Sequence, residues 1–342
     1  MKKRWVITIL SVLMLILAAC GDSNNNNDGN NENSNEVNDT DNNENDNNNN
    51  ENANSGNNGD NASDDTVMVE HELGETEVQK NPETVVVFDF GALDTLDKLG
   101  VDVAGVAQNN MPSYLEKFES DEYENIGSLK EPDFEKIANI DPDLIIISGR
   151  QASMYDELSK LGDTIHLGVD NERYMDSFKE NLAIIGEIFD KEDDVEAELA
   201  DIESSIEELN VKAEDIDGGA LIILSNDDKI SAYGPNSRFG IIHDVFGIPA
   251  IDEDIEASTH GMNVSFEYVK EENPSILYVI DRSAAIGEES GAEQIVENKL
   301  VEDTDAYKDD KIVYLDPDFW YLSGGGLVSV AEMIDEITES LE

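Results

Sequence analysis

Three features of the 342-residue sequence predict an α/β fold of two lobes with parallel sheets, bridged by one long helix. The first is a series of short strands separated by helical patterns: "TVVVFD" from Thr84, "DVAGVA" from Asp102, "DLIIISG" from Asp143, "ALIILS" from Ala220, "SILYVID" from Ser275 and "KIVYLD" from Lys311. Strands apolar on both faces belong to parallel sheets covered by helices. The second is a stretch at 187–217 with neither Gly nor Pro. The third is an internal repeat. "FEKIANIDPDLIIISGR" at 134–150 lies without a gap over "FEYVKEENPSILYVIDR" at 266–282, matching Phe134 with Phe266, Glu135 with Glu267, Pro142 with Pro274 and Arg150 with Arg282.

The chain opens on Lys2, Lys3 and Arg4, then an apolar run from Val6 to Ala19 that is short for a bilayer span. "LAAC" ends the run, with small residues directly before Cys20. This predicts a lipoprotein signal peptide over 1–19 and lipidation of Cys20. Cys20 is the only cysteine, so no disulfide can form within the chain. Residues 20–65 form the tether. Of the 45 residues at 21–65, 21 are Asn and 12 are Asp or Glu, with no basic or aromatic residue. Such a segment cannot bury enough apolar surface to offset its chain entropy, and a disordered spacer is expected.

The lobes are assigned to 66–190 and 214–342, with the bridging helix at 191–213. Val195, Leu199, Ile202, Ile206 and Leu209 recur at alternating spacings of four and three, one narrow helical stripe. Glu192, Asp193 and Asp194 favour its N-terminal end. The stripe suits a coiled-coil partner or a single helix packed across both lobes. The single helix is preferred, and it should hold the lobes nearly rigid.

Each repeat reads as a cap (Asp133, Ser265), a short helix, an Asp-Pro or Asn-Pro turn, a buried strand and then arginine. Ligands of open parallel sheets bind beyond the carboxyl ends of strands, so Arg150 and Arg282 are placed on the two walls of one cleft. Arg238, in "AYGPNSRFGIIHDVFG", stands in a loop entering a helical pattern, a setting suited to anions. Arg173 has no such setting and reads as a solvated helix residue. The net charge of −58 disfavours nucleic acid and anionic membranes as partners, and it suits a protein exposed to salty or alkaline surroundings. An anion bound by this chain must be held by a few cations gathered in one place.

His260 lies in "STHGMN". "DPDFWYLSGGGLVSV" joins Phe319, Trp320 and Tyr321 to a glycine run that opens the last helix, a place for close backbone approach to a ligand. The histidines at 71, 166, 243 and 260 are widely spaced and do not resemble a zinc or manganese set. The motifs of hydrolases, phosphate loops and zinc peptidases are missing from the sequence, and no enzyme activity is expected.

"ISGRQASMYDEL", "GPNSRFGIIHDVFGI", "THG", "VIDR" and "YLDPDFWYLSGGGL" resemble the substrate-binding lipoproteins of iron–siderophore ABC transporters, and most closely the branch that takes petrobactin and other catecholates. The resemblance runs from about residue 70 to the end. It implies a helical-backbone fold like that of periplasmic binding proteins, with three cleft arginines corresponding to Arg150, Arg238 and Arg282 and an assisting lysine at Lys130. Trp320 falls within the same site. It further implies that His260 and Tyr321 complete the coordination of iron when the ligand leaves sites open. Glu135 and Glu267 correspond to glutamates that contact the permease, although helix-dipole stabilisation would explain either alone. A ferric tris-catecholate is a trianion with π faces, which guanidinium groups can fork and stack upon.

The expected role is therefore a lipid-anchored, monomeric receptor on the extracellular face of the cell membrane. It has no permanent cofactor, captures a ferric siderophore and delivers it to an ABC permease with its ATPase. The same architecture could serve ferric citrate, a hydroxamate, haem or a corrinoid. A surface adhesion or sensing lipoprotein would share the anchor and tether but would not depend on the arginines.

Overall fold

The computed structural model describes residues 65–342 apart from Asp228, Glu289 and Ser290. The predicted signal peptide, Cys20 and all of the tether but Asp65 lie outside the described residues. A hairpin of β1 (Thr66–His71) and β2 (Gly74–Gln79) comes first. Two five-stranded sheets follow. The first is formed by β3 (Val85–Val87), β4 (Gly105–Val106), β5 (Glu124–Asn125), β6 (Leu144–Ile147) and β7 (Asp163–His166). Its order is β5-β4-β3-β6-β7 and every pairing is parallel. The second holds β8 (Ala220–Asn226), β9 (Lys229–Tyr233), β10 (Met262–Val264), β11 (Ile276–Asp281) and β12 (Ile312–Leu315), in the order β10-β9-β8-β11-β12.

The second sheet departs from the expected all-parallel arrangement. β11 pairs in parallel with β8 and β12, but β9 is antiparallel to β8 and β10 antiparallel to β9. Only two residues separate β8 from β9, and so short a connection cannot carry the chain back for a parallel pairing.

The repeat has the same address in both sheets, because β6 and β11 each lie fourth in order. Their preceding helices, Phe134–Ile140 and Phe266–Glu272, both end in a left-handed residue before proline, Asp141 at φ 55° and Asn273 at φ 50°. Asp and Asn tolerate that conformation, and the proline that follows cannot continue a helix. The starts differ. The Asp133 carboxylate accepts the Lys136 N–H at 3.1 Å, whereas Ser265 makes no side-chain cap bond and its hydroxyl bonds Glu267 instead.

The long helix runs Glu192–Ala213. Val195, Ile202 and Leu209 are buried, and Leu199 and Ile206 partly so. The stripe packs on helix Tyr174–Phe189 and on the last helix, Leu327–Ser340, so its apolar face is covered by the same chain. One continuous core joins residues of both sheets, the long helix and the last helix. A smaller core, with Leu221, Ile223, Leu277 and Val279, lies on the opposite face of β8 and β11, as the period of two requires.

Candidate functional site

Arg150 follows β6 by three residues, and Arg282 follows β11 directly as the first residue of a one-turn helix, Arg282–Ala285. Both therefore leave the carboxyl end of the fourth strand of a sheet. Arg238 precedes a single helical turn, Ile241–Asp244, too short to supply an appreciable dipole, so its own charge is what it offers.

All three meet at Tyr321, in a single turn of π-type helix, Asp318–Ser323. Arg150 donates from Nη2 to the Tyr321 carbonyl at 2.8 Å and from Nη1 to the Leu322 carbonyl at 3.2 Å. Arg238 donates from Nη2 to the same Tyr321 carbonyl at 2.7 Å, and its guanidinium carbon lies 4.3 Å from the centre of the Tyr321 ring. Arg282 donates from Nε to the Tyr321 hydroxyl at 3.1 Å and from Nη1 to Asn226 Oδ1 at 2.8 Å. Every acceptor is neutral. In a chain with 79 acidic residues, no carboxylate among the described residues lies within 4.0 Å of these guanidinium groups. Among the described residues no ion pair neutralises their charge. Burial alone would raise the Tyr321 phenol, but the positive charge of Arg238 and the Arg282 hydrogen bond hold it below its ordinary pKa.

A cavity of about 600 Å³ opens over this cluster, lined by Lys130, Arg150, Arg238, His260, Trp320 and Tyr321 among others. Asp89 is the one carboxylate facing it among the described residues, and its Oδ1 accepts the Ala92 N–H at 2.8 Å. Arg282 faces an adjoining cavity of about 270 Å³, which shares Arg238, Thr259, His260 and Tyr321 with the first. Six of the predicted ligand residues thus line one cavity and the seventh its extension.

Two details of the cleft wall bear on how a ligand could meet it. Trp320 forms part of the cleft wall yet is 3% exposed, its indole N–H held by Glu336 Oε2 at 2.5 Å, so the ring is not laid open for stacking. The glycine run divides by function. Gly324 and Gly325 line the cavity, but Gly326 faces protein, where a Cβ would lie 2.0 Å from Asp94 Oδ1. Arg173 is solvent-exposed as expected, but it immediately precedes helix Tyr174–Phe189 and pairs with Asp170 and Glu180.

Sequence reasoning missed Asn226, the acceptor for Arg282 at the end of β8, although its place at a carboxyl end was a usable signal. It also missed the Asp94–Tyr114–Ser323 network, for which no local pattern exists. Glu135 and Glu267 are exposed in the first turns of the two repeat helices, away from the residues lining the cleft. Among the described residues no group of His, Cys, Asp and Glu is placed to hold a metal, and no helix is long and apolar enough to cross a membrane.

Comparison with known proteins agrees with this architecture. The chain is 54% identical over 280 residues to the petrobactin-binding protein YclQ of Bacillus subtilis, covering 81% of this chain and 88% of that one. It is 32% identical over 282 residues to the ferric-anguibactin-binding protein FatB of Vibrio anguillarum, again covering 81% and 88%. The crystal structure of YclQ superposes with a TM-score of 0.80, covering 81% of this chain and 99% of YclQ. The catecholate-siderophore-binding protein VctP of Vibrio cholerae gives 0.77 at 35% identity, covering 80% and 99%. The profile of one family matches residues 85–319, and the chain belongs to it: the periplasmic binding proteins.

Proposed function

We propose that this protein is the receptor of an ABC importer for an anionic ferric catecholate siderophore. The observation that carries the reading is the trio Arg150, Arg238 and Arg282, which hold full positive charge on neutral acceptors in a strongly acidic chain. Carbonyl, hydroxyl and amide oxygens keep the forks oriented without cancelling their charge, so an entering anion gains charge-assisted hydrogen bonds. Lys130 adds a fourth cation to the wall. A neutral hydroxamate complex would leave that charge uncompensated. The names of YclQ, FatB and VctP support the ligand class. The role is binding and delivery, without catalysis.

His260 and Tyr321 line both parts of the cleft and could reach iron in a chelate that leaves coordination sites open; a six-coordinate chelate would only rest against them. Glu135 and Glu267, at equivalent places on two related lobes, suit a permease with matching basic pockets. Cys20 would carry the lipid, and the tether would let a monomeric body stand off the outer face of the membrane.

A chain lacking residues 1–19 retains Trp320 as its single tryptophan. Titration of that chain with a ferric tris-catecholate should quench its emission saturably at submicromolar ligand, with little response to a ferric hydroxamate. A response to the hydroxamate alone would keep the receptor and replace the ligand. Silence to both would favour adhesion or sensing.

A further inference from the structure

Behind the arginines, two hydroxyls and a carboxyl form a chain that runs from the cleft wall into the core. Ser323 ends the π-type turn that carries Tyr321; it lines the cavity of about 600 Å³ and is 8% exposed. Its hydroxyl lies 2.7 Å from the Tyr114 oxygen, its only side-chain partner among the described residues. Tyr114 donates to Asp94 Oδ2 at 3.0 Å. Asp94, in helix Phe90–Lys98, is wholly buried, and it also accepts the N–H groups of Val328 at 3.2 Å and Ser329 at 3.1 Å from the start of the last helix.

The direction of the protons along this chain depends on the charge of Asp94. The two N–H groups can only donate, whereas each hydroxyl oxygen can donate or accept along the chain. With Asp94 ionised, Tyr114 donates to the carboxylate, Ser323 donates to Tyr114, and Ser323 turns only lone pairs toward the cleft. A proton entering at Ser323 from the cleft reverses the chain. Ser323 passes its own proton to Tyr114, and Tyr114 passes its own to Asp94. Each hydroxyl oxygen has lost one proton and gained one, Asp94 has become neutral, and Ser323 now donates into the cleft. An anionic oxygen bound there is repelled by the first arrangement and gains a charge-assisted hydrogen bond in the second.

We propose that Ser323 is a further ligand-binding residue of the cleft, and that Tyr114 and Asp94 are positioning residues which turn its hydroxyl toward a bound anion by taking up one proton. The inference rests on the anionic-chelate reading and adds a proton to it. The ionisable groups around Asp94 are Tyr114, from the turn Ser113–Glu119, Tyr174, from helix Tyr174–Phe189, and Asp89, which caps the helix of Asp94 itself. The last helix presents N–H groups and the Ser329 hydroxyl. Burial, with the charges of Asp94 and Asp89, drives both phenols above their ordinary pKa, so they stay protonated and Asp94 is the member that titrates. Burial lifts Asp94 to about 7, so the reversal falls within the neutral range. An anion that favours protonated Asp94 is itself bound more tightly when Asp94 is protonated, and affinity should rise as pH falls through that value.

The test is calorimetry on the chain lacking residues 1–19, with a hexadentate ferric tris(catecholamide) as the probe. Titrations near pH 7.5 in buffers of different ionisation enthalpy read the protons exchanged on binding. The parent should take up about half a proton more than Ser323→Ala or Tyr114→Phe, and the difference should shrink toward zero near pH 6, where Asp94 is already protonated. Ser323→Ala should weaken binding about tenfold near pH 6 and less near pH 8, a trend that a merely structural loss would not produce. Tyr114→Phe keeps both Ser323 and Asp94 and only cuts the chain between them. Binding by the parent without proton uptake overturns the relay and leaves the receptor intact. Uptake that persists in Ser323→Ala or in Tyr114→Phe also overturns it, because the proton then goes to another group. If the chelate does not bind at all, the anionic-chelate reading fails and the relay fails with it.

Discussion

Tyr321 shows how much one residue can organise. Its carbonyl accepts from Arg150 and Arg238, its hydroxyl accepts from Arg282, and its ring lies against the Arg238 guanidinium. Arg238 faces both parts of the cleft, so Arg238→Ala should weaken binding of a ferric tris-catecholate by about 2–5 kcal/mol, thirtyfold or more in Kd. Lys212→Ala removes the same charge from an exposed pair with Glu342 and should leave Kd within about twofold. Tyr321→Phe keeps the carbonyl and the ring and loses only the acceptor for Arg282, a smaller effect of about 1 kcal/mol. Quenching titrations of the three variants would check the order; a Lys212 effect equal to that of Arg238 would mean that net charge, not geometry, governs capture. The arginines could be read from the sequence because each follows a strand or turn with a recognisable pattern. That the backbone oxygen of Tyr321 would orient two of them had no sequence signal, since every residue carries the same carbonyl.

Between elements, the decisive contact is where helix Phe90–Lys98 meets the start of the last helix. Asp94, wholly buried, accepts the N–H groups of Val328 at 3.2 Å and Ser329 at 3.1 Å and the Tyr114 hydroxyl at 3.0 Å. With its proton given to Asp94, the Tyr114 oxygen accepts from the Ser323 hydroxyl at 2.7 Å, tying the same join to the π-type turn beneath the arginines. Gly91 and Gly326 let the backbones approach, for a Cβ at Gly91 would lie 2.9 Å from the Gly326 nitrogen. Burial pushes Asp94 up to about 7, against the pull of the hydrogen bonds from Ser329, Tyr114 and Val328. A carboxyl raised on folding contributes stability that is fully present below the unfolded value near 3.8 and is lost as pH rises through about 7. Asp94→Asn imitates the protonated form and does not titrate. Its melting temperature relative to the parent should therefore rise between pH 5 and pH 8, by the equivalent of about 1–4 kcal/mol. Thermal unfolding at the two pH values reads this, and a constant difference would place the titration elsewhere.

For the molecule as a whole, the consequence is stiffness. The two sheets are joined by the long helix and also tied by Arg150 to the carbonyls of Tyr321 and Leu322, by Asp94 to the last helix, and by the Ser113 N–H to Asp318 Oδ2 at 2.7 Å. Ligand binding should accordingly change the radius of gyration by no more than about 1 Å in small-angle scattering. A contraction of several ångströms would show that these ties open. Leu209, fully buried where the stripe of the long helix meets the core, makes the complementary test: Leu209→Ala should cost about 2–5 kcal/mol in denaturant unfolding.

The sequence by itself determined what depends on near neighbours and on period: the apolar strands, the stripe at Val195, Ile202 and Leu209, the repeat with its left-handed Asp141 and Asn273, and arginines set just beyond strands. These follow from burial and backbone preference, which act over a few residues. Only the tertiary structure decided what depends on partners far apart in the chain. Asp94 meets Ser329 across 235 residues, and Arg150 meets Tyr321 across 171. It likewise turned the Trp320 ring into the wall toward Glu336. No local pattern encodes such meetings, because they arise from packing that both sheets and the long helix must satisfy together.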